Sequence, residues 1–360
     1  MNKKPKVGII IPNYGRINYL KETVKSAISQ TYKNLEIIII DDHSPGETIR
    51  NYLKKINDTK VKWFINKTNL GTTKNFNKGV KLLKRDVQWC VILNNDDYLD
   101  KNFIKEAIKT HQKFPQSKVI HCHQVFVNAD KKTKSEDKDF SALETAEDYL
   151  VLRSLGKREI RSPSVFFNLN QFKKIGGYPS FPSGMCTDSV FIFALAFDNK
   201  LAFSEKSLVY IRIHEKAESE TAANLKEKLL SVKQMHDYCR KVYLNNPRSD
   251  HQNKKKVFRA LKYYNQFLSP ALLMKKYREL MKKKPKKTIK KDLQMIVRFC
   301  KKNRIYISPR FFILANIFNH FGVNIEKFRL YNYVNYSLLK LNKTERSIRH
   351  FLLKKFNIYP

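Results

Sequence analysis

Short apolar runs alternate with amphipathic segments along the first hundred residues of the chain. The apolar runs have the length of buried strands, and they cover residues 7–11, 35–40, 61–65 and 89–93. Between them, apolar residues recur three or four positions apart, as at Leu20, Val24 and Ala27, which is the spacing of an amphipathic helix. Four strands that alternate with three helices predict an α/β fold, a Rossmann-like three-layer α/β/α arrangement around a mostly parallel sheet.

The pattern is less regular from residue 100 onward, but it still predicts alternating elements. The polar stretch 128–144 is typical of a loop or insertion. Around it we predict helices at 102–114, 146–155 and from Asp188 to 197, a helical turn at 171–175, and strands at 118–127, 162–168, 201–203 and 208–213. These elements complete an α/β domain that we place at residues 1–219.

From about residue 220 the chain becomes strongly basic, and its apolar residues follow helical spacing. Residues 221–360 contain 34 Lys and Arg against 7 Asp and Glu, whereas residues 1–220 contain 37 against 25. A lysine-rich stretch at 282–291 is expected to interrupt the helices. We therefore predict a basic α-helical region at 220–360, whose charge suits nucleic acid, an anionic membrane surface or an acidic polymer.

The cysteines and the longest apolar runs exclude several classes of protein. Five scattered cysteines with no CxxC pair indicate reduced thiols, neither a zinc site nor a disulfide framework. No run approaches the ~20 apolar residues of a membrane-spanning helix. The basic start of the chain leads directly into a strand and has no secretory signal pattern. We expect a cytoplasmic protein.

Polar residues follow the predicted strands, and the most informative of them lie in VILNNDDYL, residues 91–99. In open α/β sheets, ligands bind beyond the carboxyl ends of the strands. Asp96 and Asp97 at such an end suit Mg²⁺ or Mn²⁺, which is often held by one or two carboxylates together with substrate phosphates. The alternative is structural, because acidic residues after a strand also begin turns and cap helices.

Four ordered blocks resemble one family of enzymes. They are IIIPNYGR at 9–16 with SAISQTY at 26–32, EIIIIDDHS at 36–44, NLGTTKNFNKG at 69–79, and VILNNDDYL. Together they resemble the family 2 glycosyltransferases of the GT-A fold over roughly residues 5–215. The resemblance implies a nucleotide-sugar site at the strand ends, and it favours membership of the bacterial surface-polysaccharide type.

The resemblance assigns donor-binding roles to the residues of these blocks. Asp41 or Asp42 would accept hydrogen bonds from the nucleobase or ribose, although either could instead cap the helix that follows near residue 47. Lys74 or Arg16 would supply the cation that an arginine before the position of Asn77 often supplies in the family. The further candidates are Pro12, Tyr14, Asn69, Gly71, Asn77, Asn94 and Asn95. The loop residues among them are equally typical of turns and helix starts.

The resemblance also assigns the metal and the proton transfer. Asp96 would be the direct metal ligand, with Asp97 beside it, and His214 would reach the metal or the diphosphate. Arg212 would help to neutralise the diphosphate. Asp188, after Gly176-Gly177-Tyr178, would be the general base, the alternative being an N-cap of the helix that it begins. At strand ends, histidines are often simply surface residues.

Three positions depart from the family pattern. Asn94 replaces the first Asp of the metal block, Phe76 replaces an arginine that often precedes the position of Asn77, and Thr187 replaces a glutamate before Asp188. These changes leave open a weakened or non-catalytic copy of the fold.

The resemblance implies an inverting, metal-dependent glycosyltransferase. It would move a sugar from a nucleoside-diphosphate sugar, with a UDP-sugar expected, to a hydroxyl of a glycan or lipid-linked acceptor. The basic region would associate with the acceptor, or attach the enzyme peripherally to the inner face of the cell membrane. The alternatives are a nucleic-acid-binding basic protein and a non-catalytic binding or scaffold protein. No base-reading module appears in the sequence, so we expect no specific nucleic acid partner.

Overall fold

A computed structural model describes residues 4–128, 133–136, 140–154, 157–213, 225–244, 254–262, 264, 272 and 286–305. Its centre is a mixed ten-stranded sheet. The strands are β1 Lys6–Asn13, β2 Leu35–Asp41, β3 Val61–Ile65, β4 Val87–Ile92, β5 Tyr98–Leu99, β6 Val119–Val127, β7 Thr133–Glu136, β8 Leu143–Thr145, β9 Val165–Asn168 and β10 Lys200–Arg212.

Helices lie between the strands and after them. They are α1 Ile17–Ile28, α2 Thr48–Lys54, α3 Thr72–Lys81, α4 Phe103–Lys113, α5 Ala146–Ser154, α6 Leu169–Lys174, α7 Thr187–Ala196, α8 Leu225–Leu244, α9 at 254–262 and α10 Lys286–Lys302. A short 3₁₀ turn, Ser162–Ser164, precedes β9. In the part of the chain that the structure describes, none of these helices has the length and apolar character needed to cross a membrane.

The sheet has a parallel half and a mixed half. The strand order is β3-β2-β1-β4-β9-β6-β10-β5, with β7 beside β6 and β8 beside β10. Strands β1 to β4 pair in parallel, and β9 inserts antiparallel between β4 and β6. Because parallel strands end at the same edge, the polar residues after β1, β2 and β4 meet there, which is where the sequence predicts the site.

Both faces of the sheet are covered, so the parallel strands are apolar at nearly every position. Alternate residues of β1 point to opposite sides. Ile10 belongs to the core formed with α3, α5 and α7, whereas Ile9 and Ile11 belong to the core formed with α1, α2 and α4. The predicted three-layer α/β/α arrangement is therefore confirmed.

Three local predictions were wrong. The polar stretch 128–144 contains β7 and the first two residues of β8, and these strands pair with β6 and β10. The two strands predicted at 201–203 and 208–213 form one strand, β10, because only a register shift between Ser204 and Leu208 separates their pairing with β6. The break expected at 282–291 contains the start of α10 at Lys286. In addition, the sequence did not predict the two-residue strand β5.

The first helix of the basic region belongs to the core of the α/β domain. Four side chains of α8 are buried in the core that also contains residues of α7 and α9, and they are Val232, Met235, Cys239 and Tyr243. The Ser183 N–H, in the loop before α7, donates to Oγ of Ser231 in α8 at 3.0 Å, and that hydroxyl lies 3.3 Å from the Ser183 carbonyl oxygen. The predictions for residues 306–360 lie outside the described residues.

Candidate active site

The ends of β1 and β2 are joined to the loop after β4 by a chain of buried amides and a carboxylate. The Asn95 amide donates to Oδ1 of Asn13 at 2.7 Å, and the Asn13 amide donates to Asp41 at 2.6 Å. Asp41 also accepts from the Ser44 backbone N–H at 2.9 Å. This network fixes three predicted donor-binding loops against one another. Both carboxylate oxygens of Asp41 accept hydrogen bonds from protein groups in this network.

Asp42 anchors a second loop of the same edge. Its Oδ1 accepts from the Asn66 amide at 2.7 Å and from the Leu70 N–H at 2.8 Å, and its Oδ2 accepts from the Gly71 N–H at 2.8 Å. Helix α2 begins at Thr48, and its cap, Glu47, makes no side-chain capping bond. Asp41 and Asp42 therefore hold loops together and do not cap α2.

Several predicted donor contacts lie exposed around these two carboxylates. Tyr14 is 54% exposed beside the buried Pro12, and Lys74 is exposed in the first turn of α3. Asn69 accepts from the Gly71 N–H at 3.0 Å and so stabilises the turn into α3. Gly71 has φ +81°, a left-handed conformation that favours glycine. Tyr14, Lys74 and Asn69 are therefore accessible to solvent at this edge of the sheet.

The two aspartates of the metal block point in different directions. Asp96 lies at the rim, where the Arg16 guanidinium donates to its Oδ2 at 2.6 Å. Asp97 is buried, accepting from the Arg212 N–H at 2.9 Å and from the Asn94 amide at 3.1 Å. Burial, followed by the neighbouring Asp96 charge, raises the pKa of Asp97 to about 8. The structure thus separates an outward carboxylate from an inward one.

The buried side chain of Arg212 contacts the metal block. Its guanidinium donates to the Asp96 carbonyl oxygen at 2.8 Å and to the Glu22 carboxylate at 2.9 Å. It also lies over the Tyr19 ring, 4.3 Å from the centroid. Since its side chain is only 1% exposed, Arg212 is placed to hold the loop in position. His214, two residues further along, lies outside the described residues.

Asp188 lies in the first turn of α7, and its carboxylate is held by two donors. The Tyr178 hydroxyl donates to one oxygen, and the Ser162 N–H donates to the other at 3.1 Å. The cap of α7 is Cys186, so Asp188 does not fill the N-cap position considered for it. Burial is the largest influence on Asp188 and raises its pKa, which makes the carboxylate a stronger base.

Asn77 connects helix α3 with the loop that carries Tyr178, the partner of Asp188. Its amide donates to the Tyr178 carbonyl oxygen at 2.9 Å and accepts from the Tyr178 N–H at 2.8 Å. Phe76, its neighbour in α3, packs edge-on against the Tyr178 ring with centroids 5.2 Å apart. The structure therefore places Asn77 against the Gly-Gly-Tyr loop, and Phe76 at a position that supports Tyr178.

We expect Gly177→Ala to damage this connection, because a Cβ there would lie 2.5 Å from Oδ1 of Asn77, and φ is +93°. The free energy of unfolding should fall by about 2–3 kcal/mol, and turnover should fall about tenfold or more as Tyr178 and Asp188 shift. Gly176→Ala is the matched control. At that position φ is +81°, with nothing within 4 Å of the added Cβ. Equal losses in urea titration and turnover for the two variants would contradict the role of Asn77.

Arg161 is a candidate that the sequence analysis missed. Burial raises the pKa of both Asp97 and Asp188, and the positive charge of Arg161 acts in the opposite direction on each of them. One guanidinium is therefore within electrostatic reach of both loops. Arg161 stacks over Phe126, 5.0 Å from the ring centroid, and its side chain is 35% exposed. No motif distinguishes this arginine from its basic neighbours in the sequence.

Asn13, Ser44 and Asn66 were also missed as members of the site. Each follows or ends a strand and hydrogen-bonds to Asp41 or Asp42. The signal that could have found Asn13 and Asn66 was their position, since both are the first amides after an apolar run.

Comparison with known proteins gives one consistent family. The glycosyl transferase family 2 model matches residues 8–175. An uncharacterised glycosyltransferase of Rickettsia typhi is 30% identical over 232 residues, which are 61% of this chain and 68% of the relative. The chain covers 35% and 18% of two further rickettsial relatives.

Solved structures show the same fold. S. aureus TarS 1–349 in complex with UDP-GlcNAc has a TM-score of 0.59 at 19% identity, over 73% of each chain. The mannosyltransferase PcManGT of Pyrobaculum calidifontis, in complex with GDP-Man and Mn²⁺, has a TM-score of 0.51 at 12% identity, over 89% of this chain and 88% of the other. At these identities the likeness concerns the GT-A fold alone.

Proposed function

This chain belongs to glycosyl transferase family 2, and on that premise we propose that it is an inverting, metal-dependent enzyme acting on a nucleoside-diphosphate sugar. The observation that carries the proposal is the meeting of three groups at one sheet edge. These are the donor loops held by Asp41 and Asp42, the outward carboxylate of Asp96, and the basic carboxylate of Asp188. A UDP-sugar is the first donor to test and a GDP-sugar the second.

The carboxylates fit a divalent metal that is completed by its substrate. Among the described residues, no three His, Cys, Asp or Glu side chains form a cluster that could hold a metal, so a closed protein cage is absent there. Asp96 at the rim, only 15% exposed, matches the one-carboxylate sites in which Mg²⁺ or Mn²⁺ takes further oxygens from phosphates. Asp96 would hold the metal, with His214 a second proposed ligand. The metal would act as a Lewis acid for the departing diphosphate.

In the proposed mechanism, Asp188 removes a proton from the acceptor hydroxyl as its oxygen attacks the anomeric carbon. The bond from that carbon to the diphosphate breaks in the same step, which inverts the configuration. Tyr178 and Ser162 orient the Asp188 carboxylate through the two hydrogen bonds that they donate. Arg161 would stabilise the negative charges of Asp97 and Asp188, both of which are within its electrostatic reach.

The acceptor in this proposal is a glycan or lipid-linked hydroxyl used in bacterial surface polysaccharide synthesis, reached at the inner face of the membrane. The support is the net charge of +27 on residues 221–360, because each Lys or Arg near an anionic lipid surface contributes about 1 kcal/mol. Replacing the lysines of 282–291 by Gln in the full chain should weaken salt-sensitive sedimentation with anionic liposomes. Unchanged sedimentation would contradict membrane attachment through this segment.

A donor screen tests the enzymatic proposal. Nucleotide sugars are offered with and without Mn²⁺, and the melting temperature and the release of nucleoside diphosphate are measured. One donor should raise the melting temperature and release diphosphate with Mn²⁺. Asp96→Asn should abolish that release. Donor binding without any turnover on a range of acceptors would favour the non-catalytic scaffold. Salt-dependent nucleic acid binding with no response to any donor would favour the nucleic-acid-binding alternative.

A further inference from the structure

The ion pair between Arg16 and Asp96 occupies the position where the proposed metal would bind. The guanidinium Nη1 lies 2.6 Å from Oδ2 of Asp96, across 80 residues of chain. The two side chains are 34% and 15% exposed, so this is a partly buried ion pair beyond the end of β4. An arginine and a divalent cation on the same carboxylate repel each other, so this ion pair is expected to weaken metal binding to Asp96.

The backbone directs Arg16 toward Asp96. Gly15 and Arg16 both have positive φ, +66° and +55°, so the chain reverses sharply before α1. Oγ of Ser44 accepts from the Gly15 N–H at 2.7 Å, which fixes the turn to the Asp41 network. Left-handed backbone at a residue other than glycine is costly and clusters at functional sites. The local fold thus bears a strain that keeps this arginine beside the metal block.

Asp96 is held equally firmly from the other side. Its carbonyl oxygen accepts from Arg212, and the Arg212 N–H is bound by Asp97, so the loop has little freedom to move. When a metal approaches Oδ2, the group that can yield is the Arg16 side chain. Once released, the guanidinium needs a new anionic partner. Phosphate oxygens match the planar set of N–H donors of an arginine, so the diphosphate of the donor is a suitable partner.

We propose that Arg16 is a positioning residue that exchanges partners: it holds Asp96 in the empty site and passes to the donor diphosphate when metal and nucleotide bind. The inference rests on the proposed function and adds to it a stated order of events. Mn²⁺ alone must compete with Arg16 for Asp96, whereas Mn²⁺ with a nucleoside diphosphate provides the arginine with a new partner. Metal and nucleotide therefore bind with positive coupling, and Arg16 carries that coupling.

The test measures Mn²⁺ binding to the full chain by electron paramagnetic resonance of free Mn²⁺, without turnover. Without nucleotide, Arg16→Gln should bind Mn²⁺ about tenfold more tightly than wild type, because the competing cation is gone. UDP and GDP should each be tried as the diphosphate, and the better one should tighten Mn²⁺ binding more in wild type than in Arg16→Gln. Arg16→Lys keeps the charge and should lie between the two.

Two controls separate this role from a general effect of charge. Arg85→Gln removes one exposed arginine before β4, at the opposite edge of the sheet, and should leave Mn²⁺ affinity unchanged. Asp96→Asn should weaken Mn²⁺ binding in both backgrounds. The melting temperature of each variant shows whether it is folded. If Arg16→Gln does not fold, Arg16→Lys supplies the comparison with wild type.

The outcomes are distinct. Equal Mn²⁺ affinities for wild type and Arg16→Gln without nucleotide, with Asp96→Asn weakened, would overturn the exchange and leave the proposed metal site intact. If neither Mn²⁺ nor Mn²⁺ with nucleotide bound to wild type in an Asp96-dependent way, the proposed metal-dependent function would itself fail. Tighter Mn²⁺ binding in Arg16→Gln together with reduced coupling would support the exchange.

Discussion

Asp188→Asn should lower turnover by a factor on the order of 10²–10⁴ while the dissociation constant for the donor stays nearly unchanged. The amide keeps the shape of the carboxylate, but it cannot accept a proton at neutral pH. The loss should appear as a fall in kcat in diphosphate-release assays with saturating donor and acceptor. Asp198→Asn is a matched control, since Asp198 pairs with Lys174 just beyond α7. A fully active Asp188→Asn enzyme would rule out Asp188 as the base.

The pH profile gives a second measure of the same role. A general base works when it is deprotonated, so activity rises with pH through its pKa. Burial raises the pKa of Asp188, which displaces the acid limb of kcat to higher pH than for an exposed aspartate. The Tyr178 hydrogen bond opposes that shift, so Tyr178→Phe should move the limb higher still. A limb that moves to lower pH in this variant would contradict the assignment.

Met235→Asp should lower the free energy of unfolding by about 4 kcal/mol or more, a large part of the 5–15 kcal/mol typical of a folded protein. Met235 is fully buried in α8 within the core shared with α7. The substitution removes this packing and places an unpaired carboxylate there. Chemical denaturation followed by circular dichroism would measure the loss, and turnover should fall with it because α7 carries Asp188.

Gln234→Asp is the control for this prediction. It introduces the same side chain at the adjacent, exposed position of the same helix, where its effect should stay within about 0.5 kcal/mol. If both variants were as stable as wild type, α8 would be an appendage to the catalytic core. A large loss at Met235 alone would show that the fold of the catalytic part extends past residue 219.

The layered fold could be predicted from the sequence because strands that are buried on both faces of a sheet are apolar at nearly every position. Strand β2 is buried at all seven positions, and its apolar run is visible in the sequence. The errors arose where this apolar pattern is weak. The strand β7 has the polar sequence of a loop, and it exists because β6 offers it an edge to pair with. Pairing between strands depends on tertiary context that local residue preferences do not contain.

The motifs of the sequence select the candidate residues of the site, but they do not predict how those residues contact one another. They point to Asp96 and Asp188, but not to the pairing of Arg16 with Asp96 across 80 residues or of Asn77 with Tyr178 across 101. Such bonds are decided by how loops from distant strands meet, and one sequence gives no direct information about that. The different orientations of Asp96 and Asp97 likewise follow from the position of Arg212.

The hydrogen bonds between Ser231 and Ser183 limit which segments can be exchanged between related enzymes. A chimera that takes its basic region from one relative and its catalytic part from another would cut the chain between these two residues and separate partners that fit each other. The natural unit of exchange would have to include both the loop before α7 and helix α8. Replacing the C-terminal region alone to obtain a new acceptor would therefore destabilise the helix that carries Asp188.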